Sequence, residues 1–116
     1  MNVSIEKIEA MIYQIRGQRV MLDSDLAKLY GVETKVLNQA VKRNLERFPQ
    51  DFMIVPDSSE LASLRSQFVT LGPVTNQNYV FRYAPYLFTE NGVAMLSSVL
   101  NSKEAIQINI TIMRAF

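Results

Sequence analysis

Apolar and polar positions recur at a helical period through residues 23–48. In LDSDLAKLYG, Leu26, Ala27, Leu29 and Tyr30 share one side of a helix. Asp23 or Ser24 is placed to cap it, Asp25 lies in its first turn where the helix dipole favours an acid, and Gly31 stops it. A second helix is predicted to start near Glu33 or Thr34 and to end by Phe48, because Pro49 disfavours helical geometry in the residue before it. Val36, Leu37, Ala40, Val41, Leu45 and Phe48 fall in one half of its wheel. Lys35, Asn38, Gln39, Lys42, Arg43 and Glu46 fall in the other. Asn44 lands among the apolar positions, so it is expected to turn inward and to need a hydrogen-bond partner there.

The flanking segments complete the pattern. Residues 2–10 suit a short helix with Ile5 and Ile8 inward. YQIRGQRVML suits a hairpin with Gly17-Gln18 as its loop, pairing Ile15 with Val20 and Tyr13 with Leu22, and setting Arg16 opposite Arg19. Like charges so placed repel unless an acid lies near them or both splay into water. DFMIV is strand-like, and DSSELASLRSQF is a helix that Asp57 or Ser58 caps. VTLGPVTNQN is a loop, and YVFRYAPYLFT is extended, with Pro85 marking an edge or a strand end. Thr89 then caps a helix to about Leu100, whose core positions are Val93, Met95, Leu96, Val99 and Leu100. In the last segment IQINITI alternates as a strand does. Ser102 followed by Lys-Glu-Ala argues instead for a capped helix with Ile106, Ile110 and Met113 on one side and Ile108 and Ile112 on another. A helix apolar on two sides needs two packing partners, the domain and a second subunit. The chain stops at Phe116 without a terminating Gly or Pro, as the front piece of a longer protein would.

These elements describe a small mixed α+β domain with an N-terminal β-hairpin, a helix-turn-helix-like unit over residues 24–47 and C-terminal helices. A length of 116 residues suits one domain. Apolar residues at 48% and charged residues at 20% fit a folded globular chain rather than a disordered one. The chain has no Cys and no His, which removes disulfides, thiolate metal sites, cysteine nucleophiles and the commonest proton shuttle. It also lacks a Gly-rich phosphate loop and a nucleophile elbow. Asp23 and Asp25 alone resemble a carboxylate pair, and helix-start chemistry accounts for both because no further ligand cluster accompanies them. The expectation is a binding module that is not an enzyme and holds no cofactor or metal. Glu6, Lys7 and Glu9 interrupt what an export signal would keep apolar, and no apolar run is long enough to cross a bilayer. A cytoplasmic protein without a membrane partner is expected.

A net charge of +1 is too small to announce a polyanion partner, but its distribution is uneven. Residues 11–47 balance at +3 and residues 48–116 at −1. On the second helix of a helix-turn-helix, Asn and Gln pair bidentately with adenine and Arg or Lys with guanine, while further basic groups neutralise phosphates. Lys35, Asn38, Gln39, Lys42 and Arg43 supply that set. An amphipathic helix also carries Lys, Gln and Asn merely to stay soluble, so the pattern alone leaves both readings open.

Two long stretches narrow the choice. IRGQRVMLDSDLAKLYGVETKVLNQAVKRNLERFPQDFM and YLFTENGVAMLSSVLNSKEAIQINITIMRAF resemble the ORF-six-N domain of phage and prophage regulators, a relative of the KilA-N and Bro-N domains. The likeness runs from about Ile15 nearly to the end of the chain. It implies an α+β DNA-binding domain, commonly fused to a separate C-terminal module, in bacterial, prophage or viral regulators that include antirepressors. It also favours a helix for residues 103–116. FVTLGPVTNQNYVFR is longer and less rich in Gly and Arg than the family's connection, so no DNA contact is carried over to it. FMIVPDSSE departs from the more usual polar strand end, a difference that bears on packing. The resulting expectation is a double-stranded DNA-binding domain with Lys42 and Arg43 foremost at the contact, and with Arg16 and Arg19 as phosphate contacts beside it. A homodimer through the C-terminal helix would suit a palindromic site. The alternative is a protein-interaction module that captures a repressor through the same surface, or through the aromatic segment 79–88, without binding DNA.

Overall fold

The structure is a computed structural model that describes residues 3–71 and 84–116. It places α1 at Ile5–Glu9, the strands β1 and β2 at Ile12–Ile15 and Gln18–Leu22, α2 at Asp23–Tyr30 and α3 at Thr34–Lys42. A 3-10 turn at Leu45–Arg47 and the short strand β3 (Met53–Ile54) lead into α4 (Ser58–Leu71). β4 (Leu87–Thr89), α5 (Glu90–Leu100) and α6 (Lys103–Ala115) complete the chain, so the fold is mixed α+β as expected.

The strands form one antiparallel sheet in the order β1-β2-β4-β3. Their alternation splits the core in two, because successive side chains point to opposite faces. Tyr13, Ile15, Val20, Leu22, Ile54 and Leu87 pack with Leu64 and Leu61 of α4. Met21 and Phe88 point the other way and pack with Leu26, Leu37, Val41, Val93, Leu96 and Ile112 from α2, α3, α5 and α6. α4 therefore covers one face of the sheet, and the remaining helices cover the other.

The hairpin differs from its predicted register. Its loop is Arg16-Gly17, with φ of +56° and +72°, and it pairs Tyr13 with Val20 and Ile15 with Gln18. The expected pairings of Ile15 with Val20 and Tyr13 with Leu22 are thus corrected, and Arg16 does not face Arg19. The slip preserves the two-residue alternation, so the right residues are buried with different partners. A two-residue turn of this kind needs positive φ at both central positions, which is unfavourable for Arg16. A bidentate contact with Glu60 offsets that cost: Arg16 Nε lies 2.6 Å from Oε2 and Nη2 lies 3.0 Å from Oε1. Glu60 is fixed in turn by a capping box. Asp57 Oδ1 accepts from the Glu60 N–H at 2.9 Å, and Glu60 Oε1 accepts from the Asp57 N–H at 3.0 Å. The bond from Arg16 holds the Glu60 carboxyl below its ordinary pKa, and the bond from the Glu60 backbone does the same for Asp57. Further along α4 the Gln67 amide accepts from the Gln14 N–H at 2.8 Å and donates to the Gln14 carbonyl at 3.0 Å.

The caps predicted at Thr89 and Ser102 are present, and Ser4 makes one at α1 that was not predicted. The cap predicted for α2 at Asp23 or Ser24 is not, because α2 begins at Asp23 itself and its N-cap position, Leu22, has no side-chain bond to give. Ser4 Oγ accepts from the Lys7 N–H at the start of α1, where Ile8 is buried. Ile5 stays exposed, because this single turn brings one position under α6 rather than two. Thr89 Oγ1 accepts from the Gly92 N–H at 3.4 Å and donates to the Asp51 carbonyl at 2.7 Å, tying the start of α5 to the turn before β3. Ser102 Oγ accepts from the Ala105 N–H at 3.1 Å and opens α6. The final segment is a helix, and Asn109 carries it. Asn109 Nδ2 donates to the Val93 carbonyl at 2.8 Å, and Asn109 Oδ1 accepts from the Tyr30 hydroxyl. The polar residue that a strand would turn outward is buried, while Ile106 and Ile110 are 48% and 46% exposed.

Two other boundaries move, one inward and one outward. The strand expected over DFMIV is confined to Met53–Ile54, with Val55 exposed. α4 runs to Leu71, three residues into the predicted loop. The rest of that loop, and residues 79–83 of the extended segment, lie outside the described residues. Among the described residues no helix is long and apolar enough to cross a membrane.

Candidate nucleic-acid interface

Three residues join α2 to α3. Gly31 adopts φ +73°, its N–H donates to the Lys28 carbonyl at 3.2 Å, and the Val32 N–H donates to the Ala27 carbonyl at 3.0 Å. This paired closure stops α2 and lets Glu33, with extended backbone, begin α3 at once. Leu37 and Val41 are fully buried and anchor α3 against α2 and α5. α3 is shorter than predicted. It ends at Lys42, and Asn44 adopts φ −134° and leaves helical geometry before the 3-10 turn.

That early end redraws the wheel. With Leu45 and Phe48 outside the helix, the buried mid-line runs between Leu37 and Val41. At about 100° per residue Gln39 lies about 180° from it, at the centre of the solvent face. Lys35 and Lys42 flank Gln39 on one side, with Val36 and Arg43 on the other, and all five are exposed. Val36 and Leu45, both assigned to the core from the sequence, are exposed. They sit at opposite margins of the predicted apolar arc, which was drawn too wide.

Asn38 does not join this face. Its Nδ2 donates to Asp23 Oδ2 at 3.1 Å, and its Oδ1 is buried without a hydrogen-bond partner. The expectation that Asn38 points outward is corrected, because a buried carboxylate on α2 claims its amide. Asn44 is only partly buried, and its amide donates to the Ala40 carbonyl at 2.8 Å one turn back.

Asp23 is the hub that fixes the two helices. Besides Asn38, Asp23 Oδ2 accepts from the Tyr86 N–H at 3.2 Å, and Oδ1 accepts from the Ser24 N–H at 2.7 Å. The Asp23 N–H donates to the Tyr86 carbonyl at 3.0 Å. The carboxylate thus joins the start of α2, the middle of α3 and the residue before β4, a role that replaces the N-cap expected of it, since Asp23 is the first residue of α2 and Leu22 precedes it. Asp25 behaves differently. Burial raises its pKa from 3.8 to about 6, with Lys28 opposing and Asp23 assisting. An acid whose folded pKa is raised destabilises the folded state once ionised. The penalty is fully present above about pH 6 and fades towards pH 4. Asp25→Asn is therefore expected to raise the melting temperature at pH 7.5 by an amount equivalent to about 2 kcal/mol. Near pH 4 the gain should vanish in thermal melts; an equal gain at both pH values would refute the burial account. Among the described residues no cluster of His, Cys, Asp and Glu could hold a metal ion.

Arg16 and Arg19 are committed within the domain. Arg16 holds Glu60, as described above, and Arg19 caps the end of α6. The Arg19 guanidinium donates to the carbonyls of Phe116 and, at 3.2 Å, Ala115, and lies 5.9 Å from the centre of the Phe116 ring. Of the seven residues singled out from the sequence, the structure brings Lys35, Gln39, Lys42 and Arg43 onto one exposed face. It gives Asn38, Arg16 and Arg19 partners elsewhere. The residue missed was Val36, whose position about 120° from the buried mid-line was legible once the helix was ended at Lys42.

No curated protein and no solved structure matches the chain. The family described as the ORF6N domain matches residues 10–99. α6, which the sequence resemblance had included, lies beyond that stretch. From β1 through nearly all of α5 the hairpin, the paired helices and the Thr89-capped helix fall within the match, and the chain belongs to the ORF6N domain family.

Proposed function

We propose that this is the double-stranded DNA-binding domain of a phage- or prophage-type transcriptional regulator or antirepressor. α2 braces α3, and α3 enters the major groove. The observation that carries this reading is the outer face of α3. Lys35, Gln39, Lys42 and Arg43 are all exposed, and among the described residues none of the three cations forms an ion pair. Basic groups left unpaired on a face whose helix is rigidly anchored suit phosphates and base edges better than they suit a protein partner. The mechanism is occupancy without chemistry. Bound protein blocks or recruits the transcription machinery, and no enzymatic step is involved.

α6 supports a homodimer. Ile106, Ile110 and Met113 line a groove of about 470 Å³ beside Ala94 of α5, in which Ile106 and Ile110 are exposed. Two copies joined there would present two α3 helices to a palindromic site.

Fluorescence titration of labelled random-sequence duplexes at several salt concentrations tests the reading. Binding is expected to weaken as salt rises, by about 0.9 log units per neutralised phosphate for each log unit of salt. Lys42→Ala/Arg43→Ala is expected to weaken binding at least tenfold at low salt and to make that slope shallower by about 1.8. Equal binding by the unchanged and substituted proteins, both folded, would overturn the assignment. Absence of binding at low salt would favour the capture of a repressor protein instead. The stoichiometry of the complex reports the dimer.

A further inference from the structure

Resting on that reading, we propose that Val36 and Gln39 make α3 a reader of A·T pairs, with Val36 recognising the 5-methyl group of thymine. Val36 is 43% exposed in the first turn of α3, on a face otherwise made of Lys35, Gln39, Lys42 and Arg43. It is not part of either core, and an isolated valine among cations contributes nothing to solubility. In a helix-turn-helix the first turns of the second helix approach the base edges most closely. Val36 and Gln39, three residues apart, are neighbours along one side of the helix there. Gln39 sits at the centre of the exposed face, where its amide can donate to adenine N7 and accept from the N6 amino group. Thymine, the partner of adenine, is the one base that displays a methyl group in the major groove. A branched apolar side chain beside the amide matches that display. Lys35, Lys42 and Arg43 on either flank are left for phosphates or guanine. With Asn38 held by Asp23, Gln39 is the one carboxamide on this face, which confines adenine reading to a single position per α3 helix.

The test separates the methyl from everything else. Duplexes enriched from a random-sequence pool by the unchanged domain are resynthesised with deoxyuridine in place of thymidine, which removes only the 5-methyl groups. The enriched duplexes are expected to share an A·T pair. The unchanged domain is expected to bind the thymidine form about fourfold more tightly for each α3 contact, the effect of burying one methyl group. Val36→Ala, on an exposed position, is expected to bind both forms equally, at the level of the unchanged domain on deoxyuridine. Val36→Thr, which keeps one of the two methyl groups, is expected to retain part of the discrimination. Equal binding of both forms by the unchanged domain would overturn the inference while leaving DNA binding intact. Discrimination that survives unchanged in Val36→Ala would overturn the assignment to Val36. Failure of the pool to enrich at low salt, with a folded protein, would overturn the proposed function itself and this inference with it.

Discussion

Gly92→Ala is expected to be the most damaging single substitution in the domain, lowering its melting temperature by more than about 15 °C or preventing folding. An added Cβ would fall well inside contact distance of the Phe52 carbonyl oxygen and 3.0 Å from its carbon, with the Phe88 Cβ 3.4 Å away on the other side. The obstruction is backbone, and that backbone is held. The same Phe52 carbonyl accepts from the Thr89 N–H at 3.1 Å, and Phe88 lies in the centre of the sheet with no exposed surface. Moving aside would therefore break the pairing of β3 with β4 and the cap of α5 together. Overpacking against a site that cannot yield costs about 3 kcal/mol or more, a large fraction of the stability of a domain this size. Gly31→Ala serves as the comparison. It introduces strain at a positive φ but meets nothing within 4 Å, so it is expected to cost only about 1 kcal/mol. Equal melting temperatures for the two variants would show that close approach is not what Gly92 provides.

Asp23→Ala is expected to cost about 3 kcal/mol and to loosen the α2–α3 unit. The substitution removes three accepted hydrogen bonds at once. It leaves the Tyr86 N–H without its carboxylate and the Asn38 amide with no partner at either end, since Asn38 Oδ1 already lacks one. Stranding buried polar groups costs more than the bonds themselves contribute. Asp23→Asn keeps acceptor capacity at one oxygen and is expected to fall between the two. Hydrogen exchange distinguishes a local from a general effect. The amides of α3 are expected to lose protection in Asp23→Ala before those of α5 do, and uniform loss across both helices would refute the hub. If α3 reads DNA, the same variant binds more weakly although Asp23 is buried away from the solvent face.

Local chemistry made most of the helices legible from the sequence. Asp57, Thr89 and Ser102 each precede a helix and each makes its capping bond, whereas the cap expected of Asp23 or Ser24 at α2 does not form. Gly31 stops α2 for the reason its position suggests. What escaped were choices settled by distant partners. Arg16 accepts an unfavourable backbone conformation because Glu60, far along the chain, rewards it, and the hairpin register follows. Asn38 and Asn44 carry the same side chain on the same segment, and which of them is claimed depends on Asp23. The wheel of α3 was drawn with Leu45 and Phe48, so its apolar half extended over Val36 and concealed the one apolar group on the exposed face. The candidate site was accordingly legible in its cations and in Gln39, and illegible in Asn38 and Val36. In α6 the alternating isoleucines obscured a helix that one buried amide at Asn109 makes sense of.

Gln67 has a consequence beyond the fold it completes. β1 is the outermost strand of the sheet, and its Gln14 N–H and C=O point away from β2 towards the place another strand would take. The Gln67 amide occupies both groups. A side chain from the covering helix thereby blocks the β1 edge of the sheet at Gln14, where a second molecule could otherwise add a strand. Copies of the domain brought close together are then kept from pairing strand to strand through the hairpin at Gln14.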